Sequence, residues 1–147
     1  MADILHRIAV KVTDINLVYN ALTTLEGLRG WWTEDTSGDP HQVDGTIAFR
    51  FAAGGFDMKV RTLGRELVQW EVIAGEPQWI GSVISWQLKP ADDYIVVLFK
   101  HEGWKEVTEF MHHCSTKWAI FLMSLKDLLE KGKGAPNPHD VKIDEIN

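Results

Sequence analysis

The chain has 147 residues, a formal net charge of −6, 45% hydrophobic residues, seven tryptophans and one cysteine. That length predicts one domain with a single core. The acidic balance, with no Lys/Arg cluster beyond KGKG at 131–134, argues against a nucleic-acid partner, and one cysteine excludes an internal disulfide. A reducing compartment suits that cysteine, so a cytoplasmic location is expected. No run approaches the roughly 20 apolar residues of a membrane span, so no membrane insertion is expected.

The N-terminal MADILHRIAVKV alternates and carries charges, which predicts a strand rather than a signal or transit peptide. Ile4, His6, Ile8, Val10 and Val12 share one side of it. Thr13 or Asp14 can cap a short helix over 14–24, with Ile15, Leu17, Val18 and Leu22 as its apolar positions. A second helical stretch over 25–32 follows, broken near Gly27 and Gly30. Residues 33–44 read as a polar loop containing Gly38 and Pro40, about the length at which a loop becomes a candidate for function.

From 45 to 101 the period is two. Ile47, Phe49 and Phe51 precede a turn at Ala53-Gly54-Gly55, and Phe56, Met58 and Val60 follow it. After Gly64 come Val68, Trp70 and Val72, and after Gly75 and Pro77 come Ile80, Ser82, Ile84, Trp86 and Leu88. The turn from Lys89-Pro90 to Asp93 leads to Ile95, Val97, Phe99 and His101. Short turns between such runs predict an antiparallel meander. One face collects Phe49, Met58, Trp70, Trp86 and Phe99, while Arg50, Lys59, Arg61, Gln69 and Lys100 fall on the other. A split of that kind means one covered side and one wetted side.

The cover is a helix over 106–132. Val107, Phe110, Met111, Cys114, Trp118, Phe121, Leu122 and Leu125 recur at helical spacing as one apolar stripe. At ~1.5 Å per residue such a helix runs to roughly 40 Å, enough to cross a small domain. Glu106 and Glu109 suit its N-terminal dipole and Lys126, Lys131 and Lys133 its C-terminal one, with Gly132 as the stop. The fold class is therefore α+β, an antiparallel sheet with helices on one face. Residues 1–134 form the expected domain and 135–147 a loosely held C-terminal tail, in which Val141, Ile143 and Ile146 can pack. From Trp118 to Leu125 only Ser124 is polar, so Ala119 and Met123 put apolar atoms on the helix's back, a possible homodimer contact.

This order of one strand, two short helices, antiparallel strands and a long C-terminal helix resembles the helix-grip fold of the START-like (SRPBCC) superfamily. That superfamily includes birch pollen allergen (Bet v 1-like) proteins, polyketide cyclases and lipid-transfer domains. GLRGWWTEDTSGDPHQVDGTIAFRF at 27–51, RELVQWEV at 65–72, WIGSVISWQL at 79–88, HEGW at 101–104 and KWAIFLMSLKDLLEKGKGAP at 117–136 are similar to segments of one family within it. That family is the activator of heat-shock-protein-90 ATPase homologues. The resemblance spans nearly the whole chain and implies a cavity between the long helix and the sheet, holding a small apolar or aromatic molecule. Expected ligand contacts from the first part of the chain are Trp32, Phe49, Phe51, Met58 and Trp70. From the later strands come Trp86, Phe99 and His101, and from the helix Phe110, Cys114, Trp118 and Phe121. Flat rings can stack on Trp70, Trp86, Phe99 or Trp118. The same aromatics can equally fill a solid core.

Residues able to carry chemistry are few. His101, on the inner face, can orient a ligand's polar end or shuttle a proton, or can simply be hydrogen-bonded at the strand's rim. In His112-His113-Cys114 neighbours diverge by ~100° and cannot converge on one ion, and Glu109 with His113 supplies only two ligands. No metal or cofactor is expected. Glu34, Asp35 and Asp39 lie in the loop after the Trp pair, either at a cavity mouth or in solvent. Cys114, on the apolar stripe, reads as an inert small hydrophobe. Trp31, Trp32, Trp79 and Trp104 read as rim residues or as packed caps.

The expected function is small-molecule binding. An enzyme of the polyketide cyclase or hydrolase type using the same cavity is the alternative, with no catalytic residues assigned. A chaperone ATPase-activating interaction module is a second alternative. The resemblance suggests that last reading by name only, because the activator also has a separate N-terminal domain and the one expected domain fills these 147 residues.

Overall fold

The computed structural model describes residues 1–52 and 54–146. Seven strands form one antiparallel sheet in the order β1-β7-β6-β5-β4-β3-β2. They are β1 (Ala2–Val10), β2 (Thr36–Gly38), β3 (Thr46–Phe51), β4 (Gly54–Leu63), β5 (Leu67–Ala74), β6 (Val83–Ala91) and β7 (Tyr94–Trp104). Helices α1 (Ile15–Thr23) and α2 (Leu25–Trp31) follow β1, and α3 (Glu109–Lys131) follows β7. β1, first in the chain, pairs with β7, the last strand, so the meander closes back on its start.

The alternation is realised along the strands. Phe49, Met58, Val60, Val68, Trp70, Ile84, Trp86, Val97 and Phe99 are all buried. α3 lies over that face, with the Trp118 ring 4.6 Å from Phe99 and 4.9 Å from Trp32. The α+β class expected from the pattern, with the helix-grip arrangement that the resemblance implies, is the fold observed. No helix among the described residues is long and apolar enough to cross a membrane.

Capping chemistry sets the helix bounds. Asp14 accepts the Asn16 N–H at 2.9 Å to start α1. The Thr24 hydroxyl accepts the Gly27 N–H at 3.0 Å to start α2. Gly27 and Gly30 do not break this helix. A Cβ on Gly27 would sit 2.6 Å from the Ala21 Cα, so the glycine lets α2 pack directly against α1. α3 starts three residues later than expected: Thr108 is its N-cap, bonded to the Met111 N–H, and Val107 is 65% exposed. Gly132, at φ 84°, ends it in the left-handed conformation.

Three further departures have physical reasons. β2 lies inside the expected loop. It is three residues long and held to β3 by backbone pairing, which leaves no side-chain pattern to read. β6 begins at Val83, not Ile80, because Gly81 takes a positive φ of 87° and the chain turns there, leaving Ile80 40% exposed. The turn expected at Ala53-Gly54-Gly55 falls in part on Ala53, outside the described residues, and Gly54 and Gly55 open β4.

Residues 135–146 are held more closely than a loose tail. The Asn137 N–H donates to the Trp32 carbonyl at 2.7 Å, and the Glu34 N–H donates to the Asn137 carbonyl at 3.1 Å. Ser124, buried on α3, donates to the Trp31 carbonyl at 2.8 Å and accepts the Ala135 N–H at 2.7 Å. Beyond them, Lys117 on α3 pairs with Asp140.

Candidate functional site

All seven tryptophans belong to one aromatic network under α3. Trp31 stacks on Trp32 at 5.8 Å, Trp32 on Trp70 at 6.2 Å, and Trp79 on Trp118 at 5.9 Å. Trp86 meets Trp31, Trp70 and Trp118 at 5.4, 5.6 and 6.1 Å, and Trp104 lies 6.2 Å from Trp79. The network packs solid toward β5, β6 and β7. Toward β3 and β4 it stops short, and a cavity of about 900 Å³ lies between α3, the start of β4, the β5–β6 connection and residues 137–146.

Six expected contact residues line this cavity: Trp32, Phe51, Phe110, Cys114, Trp118 and Phe121. The other six, Phe49, Met58, Trp70, Trp86, Phe99 and His101, are buried behind that wall, each no more than 2% exposed. Alternation places a side chain on a face, while its distance along the strand decides whether it meets the cavity or solid packing.

Several wall residues were absent from the expected set. Phe56 stacks on Trp79 with ring centroids 3.8 Å apart, so the two form a single slab of wall. Phe56 shares its alternation with Met58 and Val60, and that was its signal. Trp79, expected as a rim residue or a packed cap, is packed, 4% exposed, with the turn at Gly81 folding it inward. Lys117 interrupts the apolar stripe between Cys114 and Trp118. It sits buried with its stem along the wall, its ammonium 5.0 Å from the Phe121 ring and hydrogen-bonded to Asp140 and the Val141 carbonyl.

His101 does not meet the cavity. Its Nε2 lies 2.7 Å from Ser82 Oγ, and its Nδ1 accepts the Trp118 indole N–H at 3.2 Å. The serine hydroxyl donates to the Trp79 carbonyl. An indole can only donate and a carbonyl only accept, so the proton order is fixed. Nε2 carries hydrogen and gives it to Ser82, while Nδ1 keeps its lone pair for Trp118. Burial lowers the imidazole from its ordinary 6.5 to about 3, so it is neutral at physiological pH. This chain of bonds runs from the backbone of Trp79 to the ring of Trp118 and orients two cavity walls.

The other shifted groups follow from burial and charge. Burial pushes the Cys114 thiol up to about 12; the Trp79 side chain opposes this weakly, and the Glu76 charge adds to it. Burial alone would raise the Asp140 carboxyl, but hydrogen bonds from Lys117 and Lys142 outweigh it and hold the group below the usual carboxylate range. His113 lines the cavity with Nδ1 2.7 Å from Asp144, whereas His112 turns outward onto the Thr108 carbonyl. Glu34, Asp35 and Asp39 are exposed and do not line the cavity. Among the described residues no cluster of three or more His, Cys, Asp or Glu side chains is arranged to hold a metal ion.

A curved antiparallel sheet gripping a long C-terminal helix, with two short helices after the first strand and an aromatic cavity beneath the grip, defines a START-like helix-grip domain. The family model described as Activator of Hsp90 ATPase homolog 1-like protein matches residues 13–130, and the chain belongs to that family. Among solved structures, the solution structure of the Aha1 dimer from Colwellia psychrerythraea is 48% identical with a TM-score of 0.84. The match covers 91% of this chain and 100% of that one. CalU16 from Micromonospora echinospora shares the fold at 18% identity and a TM-score of 0.78, covering 97% of this chain and 74% of its own. MLL2253 from Mesorhizobium loti does so at 16% and 0.74, covering 87% and 96%. No curated protein matches the chain.

Proposed function

We propose that this protein binds a small apolar or aromatic molecule in the cavity between α3 and the β3–β4 end of the sheet. The observation that carries the reading is the cavity itself: about 900 Å³, walled by Trp32, Phe51, Phe56, Trp79, Trp118 and Phe121. That volume lies within the roughly 300–1,000 Å³ of small-molecule sites, and the aromatic wall faces charged and polar groups from α3, the β5–β6 connection and the C-terminal segment. An enzyme of the cyclase or hydrolase kind would use the same space. His101 is not available to it, since it is buried and both ring nitrogens are bonded to protein.

The test is a panel of aromatic and fatty-acyl compounds, read by tryptophan emission and melting temperature. A binder should quench emission and raise the midpoint, and Phe121→Ala together with Phe56→Ala should weaken both responses. A full panel that changes neither signal would remove the reading.

A homodimer is part of the same proposal. The Colwellia psychrerythraea relative, 48% identical, was solved as a dimer, and Met123 stands 50% exposed on the back of α3. Sedimentation of the wild-type chain should give twice the monomer mass.

A further inference from the structure

The cavity's polar side is not neutral, and its charges are not equally engaged. Lys117 and Lys142 both turn to Asp140, and His113 turns to Asp144. Those three cationic or ionisable bases are therefore committed to carboxylates of the C-terminal segment. Glu76, from the β5–β6 connection, also lines the cavity and is half-buried. Among the described residues its carboxylate accepts one long hydrogen bond, 3.4 Å, from the Gln78 N–H and makes no ion pair. Its charge is felt across the space by the Cys114 thiol on α3. The same cavity is lined by the Phe56–Trp79 slab, Trp118 and Phe110.

We propose that the ligand of this cavity is an amphipathic organic cation, its flat apolar body against the aromatic wall at Phe56 and Phe110 and its protonated nitrogen beside the Glu76 carboxylate. The inference rests on the small-molecule reading above and adds the charge of the ligand. Aromatic faces carry negative quadrupole density and attract a cation within about 6 Å of the ring centre. An unpaired carboxylate in a partly dehydrated site attracts it further, because the Coulomb term grows as the local dielectric falls. An anionic ligand meets the same rings and the same carboxylate with the opposite sign, and the lysines that would welcome it are already engaged by Asp140. A neutral ligand uses the rings alone and leaves Glu76 without an ionic partner.

Three probes that share a naphthyl body test this on the full chain by isothermal titration: 1-naphthylmethylammonium, 1-naphthalenemethanol and 1-naphthylacetate. The ammonium should bind roughly tenfold tighter than the alcohol at low salt, and the acetate more weakly than either. Glu76→Gln should bring the ammonium down to the alcohol's affinity while leaving the alcohol unchanged. Asp92→Asn, on the β6–β7 turn and outside the cavity wall, should leave all three alone, which separates the site from the net charge of the chain. An acetate that binds as well as the ammonium, or an ammonium preference that survives Glu76→Gln with a normal melting temperature, overturns the proposal. If none of the three binds, the cation proposal is overturned, while the small-molecule reading is decided by the full panel above. Binding of all three with equal affinity sinks the cation alone.

Discussion

The buried imidazole of His101 makes a quantitative prediction about acid. In the folded chain it takes up a proton only near pH 3, whereas in the unfolded chain it does so near its ordinary 6.5. Between those values the unfolded state binds the extra proton and the folded state does not, so stability falls as pH drops. The contribution is fully present above pH 6.5, is lost progressively toward pH 3, and changes no further below that. The limiting slope is about 1.4 kcal/mol per pH unit, which gives roughly 2–3 kcal/mol between pH 6.5 and 4.5. That window lies above the range where Asp140, with its lowered carboxyl, starts to add its own acid sensitivity.

Urea unfolding followed by far-ultraviolet circular dichroism at intervals from pH 8 to 4.5 measures the slope. His101→Gln supplies the comparison, because an amide offers one N–H and one carbonyl to Ser82 and Trp118 but cannot titrate. The variant will be less stable overall, and that offset is not the readout. The readout is the difference in slope: wild type should lose roughly 2–3 kcal/mol more than the variant over the window. Parallel pH profiles for the two proteins would show that His101 is not held neutral by the fold, and the proton order assigned to the Trp118–His101–Ser82 chain would go with it.

The Cys114 thiol, raised to about 12, should resist iodoacetamide at pH 8 and react at the rate of a free cysteine once urea is added; fast labelling of the folded chain would contradict its burial. Asp140→Asn should cost more than Lys117→Met, on the order of 3 kcal/mol against about 1–2, because it takes the Asp140 charge away from a buried ammonium. The methionine variant still leaves Asp140 bonded to Lys142, so equal losses in denaturant titration would refute that reasoning. Thr108→Ala removes the N-cap of α3 and should lower stability by about 1 kcal/mol, read in the same titration. Met123→Glu should shift sedimentation to the monomer mass without moving the melting temperature of the domain, and an unchanged dimer would place the contact elsewhere.

Much of the architecture was legible because burial imposes a period. β3, the middle of β4 and β5 alternate, and α3 carries its stripe on both sides of Trp118, so their faces could be read from residue types alone. Trp79 shows where that stops. Ile80 and Ser82 continue the alternation of β6 on paper, and only the positive φ at Gly81 reveals a turn that swings Trp79 into the cavity wall. Phe49 and Phe51 show a second limit. Both lie on the inner face, yet only Phe51, one step nearer the strand's end, reaches the cavity. Alternation carries no information on depth. The C-terminal segment was least legible, since what fixes it is side-chain pairs such as Lys117–Asp140 and His113–Asp144 and a few backbone bonds, none of which has a period. Lys117, a charge within an apolar stripe, was the one visible sign that a buried carboxylate had to come from elsewhere.

The linked indoles have an optical consequence. Every tryptophan in the chain has another within 6.2 Å, ring centre to ring centre. At such spacing excitation migrates among the rings before it is emitted, and fluorescence leaves from whichever indole is lowest in energy. The seven rings therefore behave as one antenna rather than seven independent reporters. A molecule that touches only Trp79 and Trp118 can darken the emission of all of them. Replacing any single tryptophan will redirect the light rather than subtract a seventh of it.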